Sequence, residues 1–319
     1  MKSKDILLIA LPLIFFLAPQ KTSAQKEQTK TFKGIKTVRM NTSSGSCKIQ
    51  KSPDATVTAL VRSTHDENVE YSMDQEGDRL VIRETFHANS TYGTAAWTLT
   101  VPDGLDIKFH TGSGSLDISD LKLDLDATTG SGDLLFKKLK GRIKATTGSG
   151  DLELDNFNGE IDVNIGSGSA VVQNSQGDVK LNCGSGTIRA IDSKAAFNLN
   201  TGSGRVLGRN IDLDGASSFN SGSGDTNVIL AATPKHDISV SSGSGDAELN
   251  FNGHEIAGEV VMKASKNHGN IEAPFEFDKV EEISEKGNNQ VSIKKTAVKG
   301  NSSNHVKVST GSGDAILKK

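Results

Sequence analysis

Along most of the chain, apolar side chains fall on every second position. Ahead of a recurring Gly-Ser-Gly tripeptide come Ile107 and Phe109, Leu125 and Ala127, Ile143 and Ala145, Ile161 and Val163, Val179 and Leu181, and Phe197 and Leu199. Behind it come Leu116 and Ile118, Leu134 and Phe136, Leu152 and Leu154, Ala170 and Val172, and Ile188 and Ala190. The intervening residues are mostly polar, among them Asp133, Lys144, Asp151, Glu153, Asp162, Lys180 and Asn198. Successive side chains of a strand point to opposite faces, so a two-residue period predicts half-buried strands and argues against helices.

The tripeptide starts at Gly112, Gly130, Gly148, Gly166, Gly184, Gly202, Gly222, Gly243 and Gly311. The first five intervals are 18 residues each, and the next two are 20 and 21. A fixed period this short predicts stacked coils. The expected fold is all-β: a single-stranded parallel β-solenoid, or β-helix, with coils of 18 residues and an irregular N-terminal β cap. Each coil would hold two short strands. Gly-Ser-Gly would form one corner, its glycines supplying positive φ. A looser turn, often closed by glycine (Gly141, Gly159, Gly177, Gly215), would form the other. The residue before each tripeptide keeps the inward parity and reads Thr111, Thr129, Thr147, Ile165, Cys183, Thr201, Ser221, Ser242 and Thr310. Small side chains suit a narrow inner corner, and a hydroxyl there can bond backbone nearby.

Both ends depart from this rhythm. Lys2 and Lys4, an apolar run from Ile6 to Ala18, and Thr22-Ser23-Ala24 have the layout of a secretory signal peptide cleaved between Ala24 and Gln25. The run is shorter than the ~20 residues a membrane span needs, and Pro12 interrupts it. The mature chain is expected to carry no integral membrane span. Residues 25–31 read as a short linker. Residues 32–110 read as a capping or widened β section, with strand-like runs at 36–40, 56–61, 79–84 and 95–101. Residues 111–319 read as the repeat solenoid. Within it, 245–311 reads as looser coils, with Gly269–Ala273 aligned to Gly245–Leu249 and Gly287–Ile293 as another corner and strand.

The net charge of −3 and the two cysteines narrow the chemistry. A near-neutral chain has no electrostatic reason to bind nucleic acid. Cys47 and Cys183 fall several coils apart, too far for a disulfide, and Cys183 reads as a packed small side chain. Outward columns Asp124, Arg142, Glu160, Asp178 and Asp126, Lys144, Asp162, Lys180 mostly alternate in sign, which suits pairing between neighbouring coils. Asp133, Asp151, Asp225 and Asp246 follow Gly-Ser-Gly directly. A calcium β-roll would need 6–8 oxygens per ion, more than lone aspartates on adjacent coils provide. The seven histidines are scattered without metal-ligand spacing, and no nucleophile or zinc motif is present. No catalytic residue, cofactor or metal is expected.

The run Trp97-Thr98-Leu99-Thr100-Val101-Pro102, leading into 105–109 and then repeated Thr-Gly-Ser-Gly-Asp, resembles the bacterial β-strand-repeat domain of unknown function known as "putative adhesin". It is similar also to the related auto-transporter adhesin head (GIN) domains. The resemblance covers 32–319 and implies a β-solenoid on an exported protein, in the periplasm or at the cell surface, with no catalytic residues to carry over. The reading is a non-enzymatic envelope scaffold or binding protein whose partner, protein or glycan, is unnamed. The rivals are a carbohydrate-active β-helix enzyme and an envelope-stress signalling partner.

Overall fold

The computed structural model describes residues 26–65, 67–87, 93–284 and 291–319. Every regular element among them is a strand. Lys122–Thr129 shows why: Leu123, Leu125, Ala127 and Thr129 are buried, while Lys122, Asp124, Asp126 and Thr128 are exposed. Within the repeats, each strand pairs in parallel with the strand one repeat later. Leu125 lies beside Ile143, Ile143 beside Ile161, Ile161 beside Val179 and Val179 beside Phe197. On the other side of each repeat, Leu116, Leu134, Leu152, Ala170, Ile188 and Val206 form a second buried column. Fully burying a large aliphatic or aromatic side chain is worth ~1.5–3 kcal/mol, so these columns, not the surface ion pairs, hold the stack together.

The two corners obey different rules. Positive φ was the expected reason for glycine at Gly-Ser-Gly, but within the tripeptides it occurs only at Gly168 (151°) and Gly186 (150°). Elsewhere the requirement is close approach. A Cβ on Gly132 would strike the carbonyl oxygen of Gly114, and one on Gly150 the carbonyl oxygen of Gly132. Glycine is needed because one corner sits on the last. The opposite corner carries the left-handed residues: Asp120 (58°), Lys138 (53°), Asn156 (57°), Asn174 (53°), Asp192 (47°) and Asn210 (55°). Asn and Asp tolerate this conformation better than other non-glycine residues. Gly141, Gly159 and Gly177 follow three residues later, also at positive φ, whereas Gly215 is not among the positive-φ residues and its space is limited by the Ala196 methyl. Lys138 is the misfit of the column. Lys138→Asn is expected to raise stability by about 0.5–1 kcal/mol, read as an upward shift of the urea midpoint.

The ends are built by excursion and return. Thr37–Thr42 and Ser46–Lys51 stack in parallel directly on Leu105–Thr111 and Leu116–Ser119. The intervening chain passes outward, placing Arg79–Phe86 and Ala95–Val101 on the far side of the same unit. Three antiparallel strands finish this end: Val69–Glu76 on Arg79–Phe86, Thr56–Ser63 on Ala95–Val101, and Lys26–Lys33 on Thr56–Ser63. The segment read as a linker, 25–31, is therefore strand from residue 26 onward. Its sequence KEQTKTFK has no apolar alternation, and its side chains are mostly exposed. Backbone pairing alone makes it a strand, and a pattern of side chains cannot reveal that.

The C-terminal end corrects the reading of 245–311 as successive looser coils. His305–Thr310 and Ala315–Lys318 stack directly on Ile238–Ser242 and Ala247–Asn250. Gly258–Ser265 lies on the outer side of His305–Thr310, followed by antiparallel Val291–Lys299 and then Lys279–Ser284. Gly269 and Ile271 do occupy the corner column, but against Gly313 and Ala315 rather than Gly245 and Ala247. The corner expected at 287–293 lies partly outside the described residues. Its described part, from Val291, runs antiparallel between Gly258–Ser265 and Lys279–Ser284 instead of stacking as a coil.

Candidate functional site

The residues of the expected signal cleavage, Ala24 and Gln25, lie outside the described residues. The aspartates weighed for calcium are engaged in the stack. Asp133 Oδ1 accepts the backbone N–H of Asp151 at 2.9 Å, and Asp151 Oδ1 accepts that of Ser169 at 2.7 Å. Asp225, Asp246 and Asp314 do the same for Asp246, Asp314 and Asn270. Each carboxylate caps the next corner, and no cluster of three or more metal-ligating side chains occurs among the described residues. The inner column is equally occupied. Thr129, Thr147, Thr201, Ser221, Ser242 and Thr310 donate their hydroxyls to glycine carbonyls of the preceding corner, at 2.7–3.1 Å.

The two thiols are free and buried. Cys183 Sγ donates to the Gly168 carbonyl at 3.0 Å, in the place of the threonines. Burial pushes the Cys47 thiol far above its ordinary range, and the nearby Asp117 and Glu84 carboxylates add to this. A thiolate is the reactive form, so Cys47 is expected to resist iodoacetamide at pH 8 in the folded protein and to react fully in guanidinium. Mass spectrometry of the alkylated protein checks it.

One cluster resembles catalytic machinery. Ser63 and His65 lie two residues apart and so on the same face. Ser63 Oγ is 3.2 Å from His65 Nδ1, and the Tyr71 hydroxyl is 2.6 Å from each. His65 also packs edge-on against Phe86, and Tyr71 against Trp97, whose Nε1–H donates to Glu84 at 2.7 Å. Burial, opposed by the Ser63 hydrogen bond, raises the Tyr71 hydroxyl above its ordinary value. Ser63 is 1% and His65 3% exposed. A serine nucleophile needs substrate at its oxygen, and these groups are spent on one another. The cluster staples the cap's antiparallel layer to the aromatic core.

What remains open to a partner is the outward side of the strands. The expected charge columns do pair: Arg142 with Asp124 and Lys180 with Asp162, both at 2.8 Å. Glu160 and Asp178, both acidic, stand side by side in the first column. A shallow groove lined by Asp106, Lys108, Asp124, Asp126, Arg142 and Lys144 runs across this half. Further along the same face the charges give way to amides. Asn182 Nδ2 donates to Asn164 Oδ1 at 3.0 Å, Asn200 to Asn182 at 3.1 Å, and Asn220 to Asn200 at 2.8 Å. Ser241 Oγ ends the row on Asn220. The reading of columns from charge alone passed over this ladder. Its signal was present in Asn164, Asn182 and Asn200, 18 residues apart. The opposite face instead carries half-buried Leu135, Val171 and Leu207 on alternate repeats, separated by Glu153 and Arg189.

No curated protein matches the chain. Among solved structures, a "putative cell adhesion protein" from Clostridium sporogenes is 13% identical, with 92% of this chain and 99% of that one covered and a TM-score of 0.23. A "putative adhesin" from Parabacteroides distasonis is 12% identical, covering 93% and 98%, with a TM-score of 0.39. Another from Bacteroides fragilis is 11% identical, covering 93% and 99%, with a TM-score of 0.28. These superpositions are too slight to carry an argument about fold or function. The family comparison is decisive: residues 35–318 match the domain described as Toastrack DUF4097, and the chain belongs to that family.

Proposed function

We propose that this protein is an exported, non-enzymatic parallel β-solenoid that serves the cell envelope as a rigid binding scaffold, adhesin-like in the sense of the GIN-related domains. The observation that carries the reading is how the polar groups are deployed. The corner aspartates, the inward corner hydroxyls of Thr129 to Thr310 and the Ser63–His65–Tyr71 groups are hydrogen-bonded within the stack, whereas the flat outward ladders present a regular surface of charges and amides. Broad ladders of this kind favour extended contact over a deep pocket. The signal-peptide layout at 1–24 and the family membership point the same way, and among the described residues no helix is long and apolar enough to cross a membrane. The partner is an envelope or surface component, protein or glycan.

The test is a pull-down from the envelope fraction with the purified mature chain, alongside attachment assays on a deletion strain. A specific envelope partner supports the scaffold. Turnover on a glycan panel would replace it with the enzyme reading. No partner together with unaltered attachment would remove adhesion.

A further inference from the structure

We propose that the uncharged half of the amide face binds a neutral, extended β-1,4-linked glycan laid along the stacking direction. The proposal rests on the scaffold reading and names its ligand class. Outward positions here carry Asn198, Asn200, Ala216, Ser218, Asn220 and Ser239, none of them ionisable, in a chain whose residues are 24% charged. The neighbouring half of the same face is built from Asp106, Asp124, Arg142 and Asp162, so the loss of charge is local. The change also coincides with a groove of ≈ 400 Å³, floored by Asn198, Ala216, Ser218 and Ser239 and bounded at its edge by the ionisable Asp237, His305 and Lys307.

The amides are held in one orientation. Each Nδ2 in the row donates towards the preceding repeat, and Asn198 Oδ1 accepts both Asn200 Nδ2 at 2.7 Å and Ser218 Oγ at 3.3 Å. An amide has two N–H donors and two acceptor lone pairs, so the ladder bonds still leave Asn182 and Asn220 with groups to offer outward. Asn200, between them, has both N–H donors committed, so the free groups stand two repeats apart, ~9.6 Å at twice the strand spacing. A flat β-1,4-linked ribbon flips at each ring, so the same hydroxyls return to one edge every second ring, at about that interval. It carries no charge to desolvate, which matters where the surface supplies none in return. An anionic polymer would instead be drawn to cations, and a curled α-linked chain could not follow a straight ladder. Single hydrogen bonds of this sort are weak, so affinity would come from several repeats engaged at once.

The test is retention of the purified mature chain on cellulose and chitin powders, with heparin-agarose as the polyanion control. Retention on at least one neutral matrix is expected, and none above background on heparin. Asn200→Asp, which removes donors and adds a negative charge, should lower retention about tenfold or more. Ala216→Arg should do the same by filling the groove without touching the ladder, and it covers the case in which Asn200→Asp fails to fold. Arg142→Gln, on the charged half, should leave retention unchanged. Circular dichroism checks the fold of each variant. The proposal is overturned by no retention on either neutral matrix, or by equal retention of folded Ala216→Arg. If retention fails while the envelope pull-down still yields a specific partner, the glycan class falls and the scaffold stands. If both fail, the scaffold falls with it.

Discussion

Gly132→Ala is expected to cost at least about 3 kcal/mol, the upper range for forcing a methyl into packed surroundings. The obstacle is backbone. The added Cβ would meet the carbonyl oxygen of Gly114 below it, and the Thr129 hydroxyl is also close. That hydroxyl donates to the same Gly114 carbonyl, so the corner cannot open without losing a buried hydrogen bond as well. The comparison that isolates the cause is Gly104→Ala. Gly104 has φ +87° and nothing within 4 Å of an added Cβ, so it pays only the conformational penalty of about 1 kcal/mol. Denaturant unfolding of the two variants should therefore differ at least twofold in destabilisation. Equal losses would mean that backbone conformation, rather than stacking, explains the glycines of the tripeptide.

Removal of residues 305–319 is expected to release much more than fifteen residues. His305–Thr310 lies between Ile238–Ser242 and Gly258–Ser265, and Ala315–Lys318 between Ala247–Asn250 and the Ile271–Glu272 pair. Its inward side chains Val306, Val308, Ala315 and Leu317 are all buried. Without this layer, the strands from Gly258 to Lys299 have lost the sheet they pair with. Limited proteolysis should trim the shortened protein back to near Asn250. In a stack where each unit touches only its neighbours, removal of a true terminal unit would leave everything before it intact. A protected 258–299 segment in the truncated protein would contradict the excursion-and-return topology.

The residues that revealed the repeats are those whose side chains must choose a side. Leu125, Ile143 and Ile161 alternate with charged neighbours because one face is dry and one wet, and that contrast is written in the sequence. The antiparallel closing strands have weaker contrast. Lys26–Lys33 is wet on both faces, and Val291–Lys299 is half-buried almost throughout, so neither shows a clear parity. The return of the chain at 305–318 had a signal of another kind. Thr310-Gly311-Ser312-Gly313-Asp314 is a full copy of the corner after a long blurred stretch, as expected if the blurred stretch is an insertion and the copy belongs beside Ser242–Asp246. The left-handed column Asp120, Asn156, Asn174, Asp192 and Asn210 was legible too, because an 18-residue recurrence of Asn and Asp marks a corner as surely as glycine does. Of the candidate face, the ion pairs were readable from alternating sign. The amide row required looking for identity rather than complementarity between neighbours. The Ser63–His65–Tyr71 contact is out of reach of any periodic reading, since it depends on how an antiparallel layer folds over Trp97.

A pile of parallel strands ordinarily offers its top and bottom to another pile of the same kind, and growth into fibrils is then a matter of concentration. Here the ends are not copies of the repeat: Val69–Glu76 runs against the stack, while Lys26–Lys33 and Lys279–Ser284, each two reversals out, regain its direction but carry mostly exposed side chains, so a second molecule arriving end-on meets no matching apolar column. The number of layers is thus settled by translation rather than by association, and the protein behaves as a ruler of encoded length.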